Sequence, residues 1–345
     1  MGLNIKDIIP RKEIDLSDLK GKLVFVDAYN MLYQFLSTIR QPDGTPLMDN
    51  RKRVTSHLSG IFYRNTNLLS EGIKMVYVFD GKPPELKGKT HEIRTEARDS
   101  ARERYMEARQ EEDIEGMKRY SSQLVKLNDE MLAESKELLE AMGIAVVQAP
   151  SEGESEAAYL SKVKESYGVV SQDYDSLLFG ATRLIRNLGL ARKRKTVSGW
   201  QEVRPELIDL HQVLNLLEIN LDQLICIGIL VGTDYNPRGI PGIGQKKALD
   251  LVKKHQQPVL IFKSVEEQMM SLPEKDRFDW QEIFELFHKP KVTNVELVFK
   301  KTDENKIKEI LVERHDFSAE RVDKQLEKLK EVKEKKKQKS LGGWV

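Results

Sequence analysis

Two short apolar runs that each end in an aspartate constrain the fold most strongly. Residues 22–27 read Lys-Leu-Val-Phe-Val-Asp, and residues 75–80 read Met-Val-Tyr-Val-Phe-Asp. Continuous apolar runs of this kind are typical of strands that are buried on both faces. The segments between them, residues 28–39 and 57–69, carry apolar side chains at helical spacing. This order predicts an α/β fold with a central, mostly parallel sheet flanked by helices.

Sheets of this kind bind their ligands beyond the carboxyl ends of the strands. Seven acidic residues are predicted to lie there. These residues, here called the acidic rim, are Asp27, Asp80, Glu152, Glu154, Asp173, Asp175 and Asp234. Carboxylates packed together repel one another unless a cation neutralises them, and hard divalent cations prefer oxygen ligands. Asp234 also follows an apolar helix predicted over residues 221–231, where a carboxylate opposes the helix dipole. The simpler alternative is that the glutamates cap a helix and that Asp173 and Asp175 are turn residues.

A highly charged, largely helical segment follows the second aspartate, over residues 82–136. Arg94, Arg98 and Arg102 are spaced by four and therefore line one face of a helix. Because the segment leaves the sheet at the acidic rim, it suits a movable basic lid over a phosphate-bearing substrate. The alternative is a solvated helix whose arginines pair with interleaved glutamates.

A glycine-rich turn over residues 239–248 opens a helix. Gly242 and Gly244 would let backbone N–H groups approach a phosphate closely, and Lys246 and Lys247 add positive charge. The pattern of a nucleotide-binding phosphate loop is absent. The specific run Pro-Gly-Ile-Gly-Gln-Lys-Lys-Ala over residues 241–248 favours a hairpin that contacts the DNA backbone. A plain turn between two helices is the alternative.

The end of the chain combines a Lys/Glu-rich stretch with a few apolar residues. Residues 324–339 are predicted to be weakly ordered, and they lead into Gln338, Leu341, Trp344 and Val345. A frayed terminus is the simple interpretation. The isolated apolar side chains also have the form of an anchor for a partner's pocket.

Composition argues against a membrane-spanning or disulfide-bonded protein and leaves a nucleic-acid partner open. A net charge of +1 neither supports nor excludes a nucleic-acid partner. No apolar run is long enough to span a bilayer, and the chain does not open with a secretory leader. The lone Cys226 rules out an internal disulfide and is typical of an intracellular protein.

With these motifs the chain resembles the flap endonucleases, structure-specific DNA nucleases of the XPG-type family. The motifs that carry the resemblance are Phe25–Ala28, Val78–Pro84, Pro150–Ala157, Ser171–Ser176, Gly232–Tyr235 and Gly239–Gly244. The resemblance implies a PIN-like nuclease fold with a helical arch and a helix-hairpin-helix type element. It also implies an Mg²⁺-dependent 5′-flap endonuclease and 5′–3′ exonuclease of replication and repair.

The resemblance assigns roles to individual residues. It implies two Mg²⁺ ions, with Mn²⁺ as an alternative, held by the acidic rim, with Asp173 and Asp175 also counted as catalytic. It places Lys87 and Arg94 on the scissile phosphate. It implies DNA contacts at Tyr33, Arg40, Thr55, Arg64, Arg98, Gly242, Gly244, Lys246 and Lys247, with a K⁺ ion at the glycine-rich turn. It matches Gln338, Leu341, Trp344 and Val345 to a peptide that binds a sliding clamp, in which Val345 replaces an aromatic residue.

The same resemblance gives a domain plan, a partner and a location. It implies a nuclease core over residues 1–335, with the arch at 82–136, the helix-hairpin-helix type element at 221–256 and a C-terminal helical part at 258–330. Residues 336–345 would form the clamp-binding tail. The expected substrate is branched DNA with a 5′ flap, cut by a monomer inside an archaeal cell without a membrane partner.

Two other functions remain to be weighed. A PIN-type ribonuclease would share the sheet, but such proteins are usually shorter and lack the arch and hairpin. A catalytically silent scaffold for DNA junctions and the clamp should have lost some of the seven acids, and all are present.

Because Mg²⁺ keeps several waters, we expect Glu152 and Asp234 to lie further from the metals than the other five acids.

Overall fold

The computed structural model describes residues 3–111, 113–121, 124, 126–190, 193–196 and 199–341. Seven strands of this part form one sheet, in the order β1-β9-β6-β5-β2-β3-β4, and β7 and β8 form a separate hairpin. The strands are β1 (Lys12–Glu13), β2 (Leu23–Asp27), β3 (Lys74–Phe79), β4 (Ala145–Gln148), β5 (Gly168–Val170), β6 (Arg183–Arg186), β7 (Lys193–Thr196), β8 (Gly199–Glu202) and β9 (Glu206–Asp209). Strands β6, β5, β2, β3 and β4 run parallel to one another, whereas at one edge β9 pairs antiparallel with β6 and β1 pairs antiparallel with β9. The predicted mostly parallel sheet is therefore confirmed.

Helices cover both faces of this sheet. They are α1 (Ala28–Thr38), α2 (Ser56–Ser59), α3 (Asn65–Ser70), α4 (Gly88–Gln110), α5 (Ile114–Ser121), α6 (Asp129–Ala141), α7 (Gly153–Val163), α8 (Asp175–Leu178), α9 (Leu210–Leu217), α10 (Leu221–Val231), α11 (Gln245–His255), α12 (Pro258–Lys263), α13 (Glu266–Met270), α14 (Trp280–His288), α15 (Glu304–Lys308) and α16 (Ala319–Leu341). Single π-helical turns lie at Gly60–Arg64 and Glu309–Arg314, and 3₁₀ turns at Leu16–Leu19, Glu85–Lys87 and Glu274–Asp276.

Successive strand residues point to opposite faces, which produces two apolar layers. Phe25 and Val78 belong to the layer that also contains side chains of α7, α10 and α14. Val26 and Tyr77 belong to the layer formed with α1, α6 and α16. Both faces of β2 and β3 are thus buried, so polar side chains can be placed cheaply only at the strand ends.

No single helix among the described residues has both the length and the apolar composition needed to cross a membrane. Helices α9 and α10 meet that test only as a pair, and they are bent by 83° relative to each other.

The charged segment after β3 forms two helices, α4 and α5, that pack on each other. Its first residues are tied to the rest of the protein, because the Thr90 hydroxyl donates to the carbonyl oxygen of Asp234. At its far end the Arg40 guanidinium donates to the hydroxyl and the carbonyl oxygen of Ser121, over 3.0 and 3.2 Å. The segment is therefore anchored both near the sheet edge and at the end of α1.

The C-terminal stretch is more ordered than the sequence predicts. Helix α16 continues to Leu341, and Val322, Leu326 and Leu329 are buried along one side of it. These three residues have the i, i+4, i+7 spacing of an apolar helix face, which the abundant lysines and glutamates obscure in the sequence. Lys330 forms an ion pair of 2.7 Å with Glu304. The prediction of weak order over residues 324–339 is wrong for this structure.

Helices α10 and α11 pack together across the glycine-rich turn. Gly239 has a φ of +55°, and a Cβ there would overlap the carbonyl group of Val231. The Ile240 N–H donates to the Leu230 carbonyl oxygen over 2.9 Å, so the turn lies against the end of α10. Gly244, which precedes α11, has a negative φ and open space around it.

We predict that Gly239→Ala lowers the free energy of unfolding by at least about 2 kcal/mol, since it combines a left-handed backbone with a steric overlap. Gly244→Ala is the matched control and should change stability by less than about 1 kcal/mol. Urea unfolding of both variants measures the difference. Equal stability of the two variants would contradict the role given to Gly239.

Candidate active site

The ends of three neighbouring strands bring most of the acidic rim together. Asp27 is the last residue of β2, Asp80 follows β3, and Asp173 and Asp175 follow β5. Strand β2 pairs with β3 on one side and with β5 on the other, both in parallel. The carboxyl ends of these strands therefore meet at one edge of the sheet, as the sequence predicts.

The two glutamates reach the same edge from α7. Glu152 stands immediately before the helix, and Glu154 lies in its first turn. The Gly153 N–H between them donates to Asp80 Oδ1 over 2.6 Å. A Cβ at Gly153 would stand 2.7 Å from that oxygen, so only glycine allows the approach. The helix start is thereby fixed against the end of β3.

Asp27 is held by two donors. Its Oδ1 accepts the N–H of Asn30 over 3.0 Å, and its Oδ2 accepts the Ser171 hydroxyl over 3.3 Å. Only 5% of Asp27 is exposed. Neither Asn30 nor Ser171 stands out in the sequence analysis, because a polar residue in a helix or after a strand is common at any turn.

Lys87 lies within the acidic rim. Its ammonium group forms an ion pair with Glu152 and lies 3.6 Å from Asp234 Oδ2. It also stands 5.7 Å from the ring centre of Tyr235, whose hydroxyl donates to Glu152. Lys87 and Tyr235 thus engage the two acids that were expected to lie furthest from the metals. Tyr235 is a further residue that sequence reasoning missed.

The lysine and the carboxylates shift one another's protonation. Burial alone would lower the pKa of Lys87, but attraction to Glu152, Asp234 and Glu154 outweighs burial and raises it. The group therefore stays positively charged. Burial also raises the pKa of Glu152, although Lys87 opposes that shift.

Burial and mutual repulsion raise the pKa of three further carboxylates of the acidic rim. Burial, followed by repulsion from Asp80, raises the pKa of Asp27 to about 7. Burial raises the pKa of Glu154, with Asp175 as the next cause, and burial together with Asp234 and Asp173 raises that of Asp175. Within the described part of the chain, no donor forms a hydrogen bond with the buried oxygens Glu154 Oε1 and Asp175 Oδ1.

These properties fit a divalent cation. Buried carboxylate oxygens that repel one another and have no donor are the ligand type that Mg²⁺ and Mn²⁺ prefer. Within the part of the chain that the structure describes, no three His, Cys, Asp or Glu side chains lie close enough to enclose one metal ion. The fit therefore rests on the donor type and the charge of the acidic rim.

The predicted DNA-contact residues fall into two groups. Tyr33 is 41% exposed on α1, Lys246 and Lys247 are also exposed, and Arg98 is partly buried. Gly242 and Gly244 lie on the exposed surface of the glycine-rich turn.

The second group is engaged within the protein. Arg40 donates to the carbonyl oxygens of Ser37 and Gly44 in addition to Ser121. Thr55 is only 4% exposed, and its N–H donates to the Leu47 carbonyl oxygen. Burial lowers the pKa of the half-buried Arg64. In this structure Arg40 and Thr55 hold the loop between α1 and α2 in place.

Some predicted residues lie outside the described part. Arg94 is within α4, and Gln338 and Leu341 are within α16, but the side chains of all three lie outside the description. Trp344 and Val345 lie outside the described residues altogether.

Comparison with known proteins gives one consistent result. Residues 4–101 match the XPG N-terminal domain, and residues 143–234 match the XPG I-region. The chain is 49% identical to flap endonuclease 1 of Hyperthermus butylicus, over 96% of this chain and 95% of that protein. It is also 49% identical to flap endonuclease 1 of Pyrococcus furiosus, over 100% of this chain and 99% of that protein.

Solved structures agree with the sequence matches. Flap endonuclease-1 from Methanococcus jannaschii superposes with a TM-score of 0.75 at 40% identity, over 97% of this chain and 100% of that chain. The catalytic core of Rad2 in complex with a DNA substrate has the same fold, with a TM-score of 0.67 at 21% identity, over 95% of this chain and 100% of that chain.

The raised pKa of Asp27 predicts that stability without divalent cations falls as pH rises. Between the ordinary aspartate pKa of 3.8 and about 7, the folded protein holds a proton that the unfolded chain has released. This contribution to stability is complete below pH 3.8 and is lost by about pH 7. Urea unfolding in EDTA at pH 4.5 and pH 8 measures the loss, and Mg²⁺ should restore stability mainly at pH 8.

Asp27→Asn is the control for this prediction, because the amide does not titrate. The variant should lose less stability between the two pH values than the parent protein does. A variant with the same pH dependence as the parent would show that Asp27 is not the titrating group.

Proposed function

The chain belongs to the flap endonuclease family, and we infer from this that it is a structure-specific nuclease, a hydrolase that cuts DNA at flap junctions. We further propose that the flap is a 5′ flap and that the reaction serves replication and repair. The observation that supports this best is the acidic rim, where Glu154 and Asp175 present buried oxygens without donors. A silent scaffold has no use for such uncompensated charge.

The acidic rim would hold two Mg²⁺ ions, with Mn²⁺ as an alternative. Asp27, Asp80, Glu154, Asp173 and Asp175 are the proposed direct ligands. When bound, the ions supply an activated water and neutralise charge on the attacking and leaving oxygens of the phosphodiester. The remaining two acids of the rim act from further out, where Lys87 already engages them.

Lys87 is proposed to contact the scissile phosphate together with Arg94. Its ammonium lies at the same edge as the acids and keeps its proton, so it can stabilise charge that develops on a phosphate oxygen. It sits in the 3₁₀ turn Glu85–Lys87, directly before α4. A bound phosphate would replace the carboxylates as its partner.

The duplex would be held away from the acidic rim. The exposed Lys246 and Lys247 at the start of α11, with the backbone of Gly242 and Gly244, are the proposed phosphate contacts. A K⁺ ion at this turn belongs to the same proposal. Tyr33 would stack on a base near the cleavage point. Further contacts to the DNA backbone would come from Arg40, Thr55, Arg64 and Arg98.

The wider organisation is proposed along the same lines. Residues 1–335 form the nuclease core, with the arch at 82–136, the DNA-gripping element at 221–256 and the C-terminal helical part at 258–330. Residues 336–345 form a tail that binds a sliding clamp through Gln338, Leu341, Trp344 and Val345. The enzyme would act as a monomer on branched DNA within an archaeal cell.

We predict that Asp175→Asn slows flap cleavage by at least ~10²–10³-fold in Mg²⁺, because the change removes several kcal/mol of transition-state stabilisation. Flap binding in Ca²⁺ should stay within a few fold, since the residue is buried at the rim and not on the DNA-binding surface. Asp15→Asn, at an exposed aspartate before the 3₁₀ turn Leu16–Leu19, is the matched control.

The substrates for this experiment decide between the candidate functions. Flap DNA, single-stranded DNA and RNA are each incubated with Mg²⁺ or EDTA. Metal-dependent cutting of the flap alone supports the proposal, RNA cutting would favour the ribonuclease, and flap binding without cutting would favour the scaffold.

A second prediction concerns the glycine-rich turn. Lys246→Ala combined with Lys247→Ala should weaken binding of duplexes of every sequence alike, because phosphate contacts carry no base information. Losing two such contacts should reduce the slope of log K against log salt concentration by about 2. Fluorescence anisotropy over a salt series measures this slope.

Two exposed lysines at the edge of the sheet opposite the acidic rim serve as the control for Lys246 and Lys247. Lys20 and Lys74 are exposed near the amino ends of β2 and β3. Their double alanine variant removes the same charge and should leave the slope unchanged. Identical slopes for the two double variants would rule out the turn as a specific DNA contact.

A further inference from the structure

Asn30 links the two central strands of the sheet at the acidic rim. Its side-chain Nδ2 donates to Asp173 Oδ2 over 2.9 Å, and its Oδ1 accepts the Gln172 N–H, also over 2.9 Å. Its backbone N–H donates to Asp27 over 3.0 Å. One residue in the first turn of α1 therefore contacts the segments that follow both β2 and β5.

Ser171 closes this arrangement into a ring. Its hydroxyl donates to Asp27 Oδ2 over 3.3 Å and accepts the Asp173 N–H over 3.2 Å. The strands below are already paired, with Val26 opposite Val170. The ring therefore continues the β2–β5 pairing beyond the paired strand residues, through hydrogen bonds that each involve at least one side chain.

The chemistry of the ring fixes the orientation of the Asn30 amide. Only its NH₂ group can donate to the carboxylate, and only its oxygen can accept the backbone N–H of Gln172. A rotated amide would lose both bonds. Asn30 therefore holds one oxygen of the Asp173 carboxylate by a hydrogen bond of defined direction.

We propose that Asn30 is a positioning residue for metal binding, which orients Asp173 without itself contacting metal or substrate. The proposal rests on the function proposed above, in which Asp173 is a metal ligand. Partners that orient a metal ligand typically contribute 10–100-fold to metal affinity or activity. A simple turn-forming role, carried by the bond to Gln172 alone, is the competing explanation.

Two substitutions separate these roles. Asn30→Ala removes both side-chain bonds. Asn30→Asp keeps the acceptor for Gln172 but replaces the donor to Asp173 with a second carboxylate. If Asn30 orients Asp173, both variants fail in metal binding, whereas a turn-forming residue would be replaced successfully by aspartate.

The experiment measures metal binding directly, on the full chain without DNA. Mn²⁺ is titrated into each variant, and free Mn²⁺ is followed by electron paramagnetic resonance. The expected result is that both variants bind Mn²⁺ at least about 10-fold more weakly than the parent. The Mg²⁺ concentration that gives half-maximal single-turnover cleavage should rise by a similar factor.

Controls exclude changes in folding and in net charge. Asn215→Asp, at an exposed position of α9, adds the same charge away from the rim and should bind Mn²⁺ as the parent does. Thermal unfolding checks that each variant folds, and Asn30→Ser replaces the alanine variant if that one does not. Asn30 is itself only partly buried, so the fold can tolerate its replacement.

Three results would overturn the proposal. Unchanged Mn²⁺ binding in both variants would show that the ring is irrelevant to metal. Weak binding in Asn30→Ala with normal binding in Asn30→Asp would establish the turn-forming role. Weak binding in Asn30→Asp alone would show a charge effect and no need for the donor.

The Mn²⁺-binding test of Asn30 does not depend on whether the protein cuts flap DNA. If the parent protein fails to cut flap DNA, the function proposed above is wrong, yet Mn²⁺ binding still reports whether Asn30 orients Asp173. If the parent cuts and binds Mn²⁺ while the variants bind equally well, only the role of Asn30 is lost.

Discussion

Repulsion among buried carboxylates is the constraint on which the rest of this structure depends. A parallel sheet with both faces covered accepts polar groups only at its strand ends, and here those ends carry acids. The surrounding groups are arranged to hold that charge. Asp80 accepts a backbone N–H, Asp27 accepts a hydroxyl and an N–H, and Lys87 neutralises part of the remainder. Among the described residues, no donor reaches one buried oxygen each of Glu154 and Asp175, and these oxygens are of the type that a divalent cation would bind.

The supporting groups divide the rim into two halves. On one side, Lys87 and Tyr235 engage Glu152, and Lys87 also faces Asp234. On the other side, Asn30 donates to Asp173 and Ser171 donates to Asp27. These donors are neutral, so they leave the negative charge of the two aspartates in place. This difference gives a structural reason for expecting metal ions on the second half, since a cation competes with a resident ammonium but not with an amide.

The sheet and the acidic rim were predictable because both rest on strong local patterns. Apolar runs identify buried strands, and an acid at the end of such a run is placed by the sheet itself. Asn30 was not predictable, since its partner Asp173 is distant in sequence and an asparagine in the first turn of a helix is unremarkable by itself. Nor was the position of Lys87, which depends on how the 3₁₀ turn directs the chain. Helix α16 was missed because its lysines and glutamates hide a narrow apolar stripe.

The charged segment after β3 contacts the acidic rim at its first residues. Helix α4 begins directly after Lys87, and Thr90 in its first turn donates to the backbone of Asp234. A ligand that draws Lys87 away from its carboxylates therefore acts on the start of α4 as well. If ligand binding at the rim displaces this segment, thermodynamic linkage requires that a displacement of the segment in turn changes the affinity of the rim for that ligand. Arg40, which joins the other end of the arch to α1, extends the linkage to the helix that carries Asn30 and Tyr33.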